Sequence, residues 1–194
     1  MRDIQVISGD YQRNSFERLP ESIDRLRACR YFCDKTQEYA TAADDIKAKW
    51  YFRASIAGFN TTLETVNSDV KRIVGKNIWC ESEQKKTMYE NPLVKVLTKT
   101  RNFAVHSDRI RGEIREYSVA KIDGSGENII DMRSLFFEEL SKLNNIKGVS
   151  NITAEEIEWF NKQTKLWPVN FLIRSGLFEA SRYVHHFTAV HKIA

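Results

Sequence analysis

The chain has 194 residues and a mass of 22.6 kDa, which suits one domain with a substantial core and leaves little room for a second. Hydrophobic residues make up 42% and charged residues 29%, with only 8 Gly and 3 Pro, which excludes a disordered or low-complexity chain. The net charge of +4 permits an acidic partner such as nucleic acid but does not require one. We therefore interpret residues 1–194 as a single globular domain.

The cysteines and the hydropathy bear on location and cofactors. Cys29, Cys33 and Cys80 are an odd number with no secretory signal before them, so we expect a reducing compartment, the cytoplasm. Cys29 and Cys33 stack on one helical face, but without a CxxC motif or a nearby His they are better explained as buried thiols than as metal ligands. We expect no metal and no other cofactor. No apolar run approaches the roughly 20 residues that span a bilayer, so we expect no membrane contact.

An arm and a first helix open the chain. Residues 1–18 hold a short apolar patch and then polar residues, which we interpret as a loosely held arm or a short strand. Pro20 suits the first turn of a helix, where its missing N–H costs nothing, and apolar residues recur on one side as far as about Tyr39. The sequence therefore predicts a helix over residues 20–39.

A second, central helix is predicted to follow. Asp44 or Asp45 can cap its start, and apolar residues that include Trp50 lie on several of its sides as far as Val66. Gly58 within it marks either a close helix crossing or a tolerated surface position.

The segment 67–90 is charged and less periodic. It predicts a broken helix or a long connection, in which the acidic and lysine clusters form a solvated face. The candidates for burial in this segment are Ile73, Val74, Ile78 and Trp79.

Asn91 and Pro92 then signal the start of another helix. At about 100° per residue, its core-facing side is predicted to carry Leu93, Val96, Leu97, Thr100, Phe103 and Ala104. The opposite side is predicted to carry Lys95, Lys99, Asn102, His106 and Arg109.

A β-hairpin is predicted to interrupt the helices. Residues 113–123 contain β-branched residues and alternate loosely between polar and apolar, 124–126 read Gly-Ser-Gly and signal a turn, and 127–132 can return as a partner strand. We place this insertion at residues 112–133. The fold class that we expect is mainly α, an antiparallel helical bundle with a small β-hairpin.

Three more helices are predicted after the hairpin. Ser134 can cap the first, whose apolar residues would be Leu135, Phe136, Leu140 and Leu143. Thr153 and Glu156 form a capping box that opens the second. Pro168 opens the last, where apolar residues recur at spacings of three and four for more than four turns.

The candidate catalytic residues are Arg101, Asn102 and His106. Asn102 and His106 are four apart and stack on one face, whereas Arg101 is about 140° around an ideal helix from His106. Arg101 and His106 can therefore converge only if the long Arg side chain wraps, the helix is distorted, or a second chain completes the site. A His of near-neutral pKa can take the proton of a ribose 2′-hydroxyl, and a guanidinium can stabilise charge on the adjacent phosphate. This chemistry requires no metal.

The surroundings of these residues are basic. Between positions 95 and 115 the chain has only two acidic residues, Asp108 and Glu113. The same stretch has six basic residues: Lys95, Lys99, Arg101, Arg109, Arg111 and Arg115. Such a patch can follow a phosphate backbone, so we interpret Lys95, Lys99, Arg109 and Arg111 as RNA-binding residues. A solvated, salt-bridged helix face is the alternative explanation.

The run Arg101-Asn102-Phe103-Ala104-Val105-His106 resembles the R-x(4 to 6)-H motif of the HEPN superfamily, in its form with Asn after Arg. The resemblance implies an antiparallel helical bundle that dimerises and so builds one composite cleft from two copies of the motif. It also implies a metal-independent ribonuclease of toxin, phage-defence or RNA-processing type, which leaves 2′,3′-cyclic phosphate ends. His106 would be the acid/base, Arg101 the phosphate-binding residue and Asn102 the supporting polar group. An antitoxin or another regulatory protein would be a further partner.

Other polar and aromatic clusters give weaker signals. His185, His186 and His191 include no pair spaced three or four apart, which argues against a metal site on one helix, and His191 is expected to be structural. The four tryptophans are expected to anchor a core or an interface, because none stands in a basic aromatic cluster.

Two functions from different classes follow. The first is a homodimeric endoribonuclease that acts on RNA through Arg101 and His106. The second is a non-catalytic helical module that binds a protein or nucleotide partner through the same cleft. The first requires both residues for cleavage, whereas under the second His106→Ala leaves every activity intact.

Overall fold

A computed structural model describes residues 16–106, 112–123, 126–140 and 152–193. In these ranges the chain forms seven helices and two strands. In chain order they are α1 Pro20–Thr41, α2 Asp45–Val74, α3 Ile78–Glu81, α4 Glu83–Glu90, α5 Pro92–His106, β1 Gly112–Asp123, β2 Gly126–Phe137, α6 Ala154–Leu166 and α7 Val169–Val190. The prediction of a mainly α fold with a β-hairpin is confirmed.

Helices α1 and α2 form a long antiparallel hairpin. Asp44 is the N-cap of α2, and its carboxylate accepts a hydrogen bond from the Lys47 N–H at 3.1 Å, as the sequence predicts. At the crossing, a Cβ added to Gly58 would lie 3.1 Å from the Cys29 Cβ. Gly58 therefore marks a close helix contact, the first of its two predicted roles.

Helix α7 runs antiparallel along α1. Near one end of the pair, the Arg18 guanidinium donates to the Ile193 carbonyl at 2.6 Å, and near the other Arg174 forms an ion pair with Asp34. Phe16 is fully buried, so the last residues of the predicted N-terminal arm are held against the bundle. Residues 1–15 of that arm lie outside the described part of the chain.

One hydrophobic core joins the described helices and the base of the hairpin. Its large, fully buried members include Phe52, Phe59, Leu63, Trp79, Phe137, Phe160 and Phe187. Trp50, expected to anchor a core or an interface, is 63% exposed and so does not belong to this core, and its role as an interface anchor stays a prediction. It projects from α2 on the side that faces solvent.

The segment 67–90 contains more helix than the sequence suggests. Helix α2 continues to Val74, ends at Gly75 with a φ of 76°, and is followed by the short helices α3 and α4. Trp79 is buried as predicted, with its ring 4.9 Å from that of Phe187. Ile73 and Val74, also predicted to be buried, are exposed. They lie in the last turn of α2, beyond the point where α1 begins.

The hairpin pairs β1 with β2 in antiparallel register from Gly112–Phe137 to Asp123–Gly126. Its base docks on α1, where the Gln37 side chain donates to the Arg133 carbonyl at 2.9 Å. Phe137 then inserts between Phe52 and Phe160, with ring centroids 5.2 and 5.4 Å away. The predicted insertion at 112–133 is therefore correct in position but extends four residues further.

The helix predicted from Ser134 is wrong. Residues 134–137 belong to β2 and are all buried, because α1 and the core cover one face and the Tyr117 ring lies 5.5 Å from Phe136 on the other. A strand buried on both faces has no alternation of polar and apolar residues, so its apolar run resembles that of a helix. Leu143 lies outside the described residues.

The starts of the last two helices agree with the sequence. Thr153 and Glu156 form the predicted capping box, with hydrogen bonds of 3.2 Å to the Thr153 hydroxyl and 2.8 Å to the Glu156 carboxylate. Pro168 stands at the N-cap of α7. Among the residues that the structure describes, none of the helices combines the length and the apolar character that crossing a bilayer requires.

Candidate active site

Helix α5 carries the candidate residues and begins where the sequence predicts. The Asn91 side-chain oxygen accepts hydrogen bonds from the N–H groups of Leu93 at 3.0 Å and Val94 at 3.3 Å. Pro92 is the first residue of the helix, where a missing N–H costs nothing. The cap fixes the start of α5, and the helix then continues through His106.

The apolar side of α5 fastens it to the bundle. The predicted core residues Leu93, Val96, Leu97 and Thr100 are buried, and Val94 is buried as well. The burial of Val94 was not predicted from helical spacing; it arises because helices α2, α4, α6 and α7 surround α5 on several sides. The predictions for Phe103 and Ala104 concern side chains outside the described part of the structure.

Gly176 of α7 allows a particularly close approach to α5. A Cβ added there would lie 2.6 Å from the Leu97 Cδ1 and 3.0 Å from the Phe59 Cε2, both shorter than van der Waals contact. The absence of a side chain at this position lets α7 pack directly against both α2 and α5.

Arg101 lies at the boundary between α5 and α2. Its Nη1 donates to the Glu64 Oε1 at 2.8 Å, and the two side chains are 35% and 56% exposed. One turn earlier on α2, the Asn60 amide donates to the Thr98 carbonyl at 3.2 Å. Successive turns of α2 thus contact successive turns of α5, and the Arg101 guanidinium is held where the helices meet solvent.

Asn102 and His106 follow Arg101 within α5, and they are four residues apart, about one helical turn. Their side chains lie outside the described part of the structure. The structure therefore places the three candidate residues on one helix, and the convergence of Arg101 with His106 stays a prediction.

Lys95 forms an ion pair within the protein. Its ammonium donates to both carboxylate oxygens of Glu156 at 2.9 Å, and the two side chains are only 21% and 12% exposed. Glu156 also closes the capping box of α6. The Lys95 charge is thus compensated at the junction of α5 and α6, away from free solvent.

The other predicted RNA-binding residues are placed less completely. Lys99 is half-buried, and within the described ranges it forms no ion pair. Arg109 and Arg111 lie outside these ranges. The role of all four basic residues in RNA binding stays a prediction.

Sequence reasoning missed Glu64, the ion-pair partner of Arg101. Burial, followed by electrostatic contributions from Glu64 and Cys80, raises the pKa of Tyr89 to about 12. Glu64 is the only ionisable residue between Arg53 and Asp69, and this isolated charge was the signal in the sequence that could have pointed to it.

A small set of polar contacts joins α4 to α3 and α2. The Lys85 ammonium lies 3.3 Å from the Cys80 Sγ, and the Cys80 thiol donates to the Asn67 side-chain oxygen at 2.9 Å. Cys80 is exposed, whereas Cys29 and Cys33 are buried free thiols, as predicted. A hydrogen bond with Cys33, followed by burial, raises the pKa of Cys29, so that thiol is held in its protonated form.

The remaining candidates do not form a second site. Among the described residues, no group of three or more His, Cys, Asp or Glu side chains could hold a metal ion. His191, expected to be structural, is exposed at the end of α7, with its ring 4.4 Å from that of Phe187. His185 and His186 are exposed on the same helix.

The arrangement around Arg101 suits the binding of an oxyanion. A guanidinium has five N–H donors, and among the described residues the contact with Glu64 engages one nitrogen, so the other N–H groups can donate to a phosphate oxygen. Comparison of the chain with protein-family models, with curated proteins and with solved structures gives no match.

Proposed function

We propose that the protein is a metal-independent endoribonuclease that resembles the HEPN superfamily. The observation that carries this proposal is the placement of Arg101, Asn102 and His106 within about one and a half turns of one capped helix, with the Arg101 guanidinium partly exposed. The basic residues around them favour a polyanionic substrate.

In this reaction His106 takes the proton of a ribose 2′-hydroxyl, and the 2′-oxygen attacks the adjacent phosphorus. The bond from phosphorus to the 5′-oxygen breaks, and that oxygen receives a proton, which leaves a 2′,3′-cyclic phosphate and a 5′-hydroxyl. Arg101 stabilises the charge that develops on the phosphate oxygens, and Asn102 supports the imidazole or a phosphate oxygen.

The proposed active form is a homodimer. Arg101 and His106 lie about 140° apart around α5, so on one helix both side chains reach one phosphate only if the Arg side chain wraps or the helix is distorted. A second copy that supplies the complementary residue resolves this geometry. We place the protein in the cytoplasm, in a toxin or phage-defence system, with an antitoxin or another regulatory protein as a further partner.

The test uses purified wild type, Arg101→Ala and His106→Ala, each incubated with cellular RNA in excess EDTA. Arg182→Ala and His186→Ala are matched controls, because both residues are exposed on α7. Only the two α5 variants should lose cleavage, while sedimentation shows the same dimer for all. Cleavage by His106→Ala at the wild-type rate would refute the proposed role of His106.

The alternative is a non-catalytic helical module that binds a protein or nucleotide partner. One observation favours it: Arg101 and Lys95 already pair with Glu64 and Glu156, as expected for cations with structural roles. Under this alternative, wild type cleaves no RNA as an intact dimer, and His106→Ala keeps its partner affinity.

A further inference from the structure

The ion pair between Arg101 and Glu64 joins residues 37 positions apart in the sequence. The Glu64 carboxylate accepts from Nη1 at 2.8 Å, and both side chains are reached by solvent. Within the described residues, this pair is the polar contact that determines where the Arg101 guanidinium lies.

The pair is poorly placed to stabilise the fold. Solvent-exposed ion pairs contribute little to stability, because water screens the charges and two long side chains lose freedom. The contact between α2 and α5 is already secured by the hydrogen bond from Asn60 to the Thr98 carbonyl, and α7 packs closely against both helices at Gly176. Removal of the Glu64 carboxylate should therefore leave the fold intact.

The consequence of the ion pair is that it orients the Arg101 side chain. An unpaired Arg side chain samples many rotamers, whereas a guanidinium bound to a carboxylate through one nitrogen samples fewer, which restricts where its other N–H groups lie.

We propose that Glu64 is a positioning residue, which holds Arg101 so that its free N–H groups face the phosphate of a bound RNA. This inference rests on the proposed function. It adds a residue of α2 to a site that the sequence confines to α5.

The first experiment measures kcat and KM for cleavage of one defined RNA by wild type, Glu64→Ala and Glu64→Gln. Glu64→Ala should lower kcat about tenfold or more, because Arg101 loses its orientation. KM should not rise, because a negative charge near the RNA is removed. Glu64→Gln should recover part of kcat, since its amide oxygen still accepts from Arg101.

Glu21→Ala is the matched control. Glu21 pairs with Arg72 of α2 at 3.0 Å, and its side chain is exposed to a similar degree. It should keep the wild-type kcat. A kcat of Glu64→Ala equal to or above that of wild type would overturn the positioning role.

The second experiment needs no RNA cleavage. In NMR spectra of the side chains, rotation about the Arg101 Nε–Cζ bond should be slow in wild type and fast in Glu64→Ala, with Arg182 unchanged. Equally fast rotation of Arg101 in both proteins would overturn the proposal whatever the activity. Slow rotation in a wild type that cleaves no RNA would instead refute the proposed function and leave the Glu64 contact established.

Discussion

Asp69 provides a quantitative test of how α1 is anchored. The N-cap residue of α1, Leu19, has no side-chain acceptor for the first N–H groups of the helix. Asp69 of α2 supplies one from a fully buried position: it accepts from the Ser22 N–H at 2.8 Å, the Ser22 hydroxyl at 2.7 Å and the Glu21 N–H at 3.3 Å. Arg72 pairs with the same carboxylate.

Asp69→Ala removes these acceptors and leaves buried donors unpaired. A lost cap costs about 1 kcal/mol, and a buried donor without a partner costs about 1–3 kcal/mol. The loss of the half-exposed Arg72 pair adds little. We therefore expect a loss of about 2–4 kcal/mol in the free energy of unfolding. Asp69→Asn keeps one oxygen acceptor and should lose about half as much.

The assay is urea unfolding followed by far-ultraviolet circular dichroism. Asp24→Ala is the control, because Asp24 is an exposed carboxylate on α1 that pairs only with Arg27 among the described residues. It should change stability by less than about 1 kcal/mol. If Asp69→Ala were no less stable than Asp24→Ala, the idea that α2 caps α1 would be wrong.

Two further predictions concern the core and the pH dependence. Gly176→Ala should lower the free energy of unfolding by about 1–2 kcal/mol, because the strain against Leu97 and Phe59 exceeds the gain of about 1 kcal/mol in helix propensity. A variant more stable than wild type in urea would contradict this packing. The pKa of Tyr89 is raised from 10.0 to about 12 in the folded protein, so as the pH rises the unfolded chain loses the phenol proton first. The free energy of unfolding should therefore fall between pH 10 and pH 12 by up to about 2–3 kcal/mol. Tyr89→Phe should flatten that fall, and an unchanged pH profile would show that the phenol is not shielded.

Local signals in the sequence predict the helix starts well. Two examples are the start of α5 at Asn91 and Pro92 and the capping box of Thr153 and Glu156. Each depends on residues within one turn of each other, so a short stretch of sequence is enough to predict it. The apolar side of α5 follows from helical spacing for the same reason.

Features that depend on distant residues could not be predicted in this way. Residues 134–137 form a strand that pairs with β1 along its edge, and α1, the core and the Tyr117 ring bury its two faces, so its burial depends on residues distant in the sequence. The exposure of Trp50 likewise depends on how α2 packs in the bundle and not on its neighbours in the sequence. At the site, the sequence named Arg101 but not Glu64, since their contact spans 37 positions and no local pattern encodes it.

We propose that α5 carries a metal-independent ribonuclease site. The most direct test is incubation of wild type and His106→Ala with RNA in excess EDTA, followed by analysis of the fragment ends. We expect 2′,3′-cyclic phosphate and 5′-hydroxyl ends from wild type and none from the variant. Absence of cleavage by correctly assembled wild type, or cleavage that persists in His106→Ala, would contradict it.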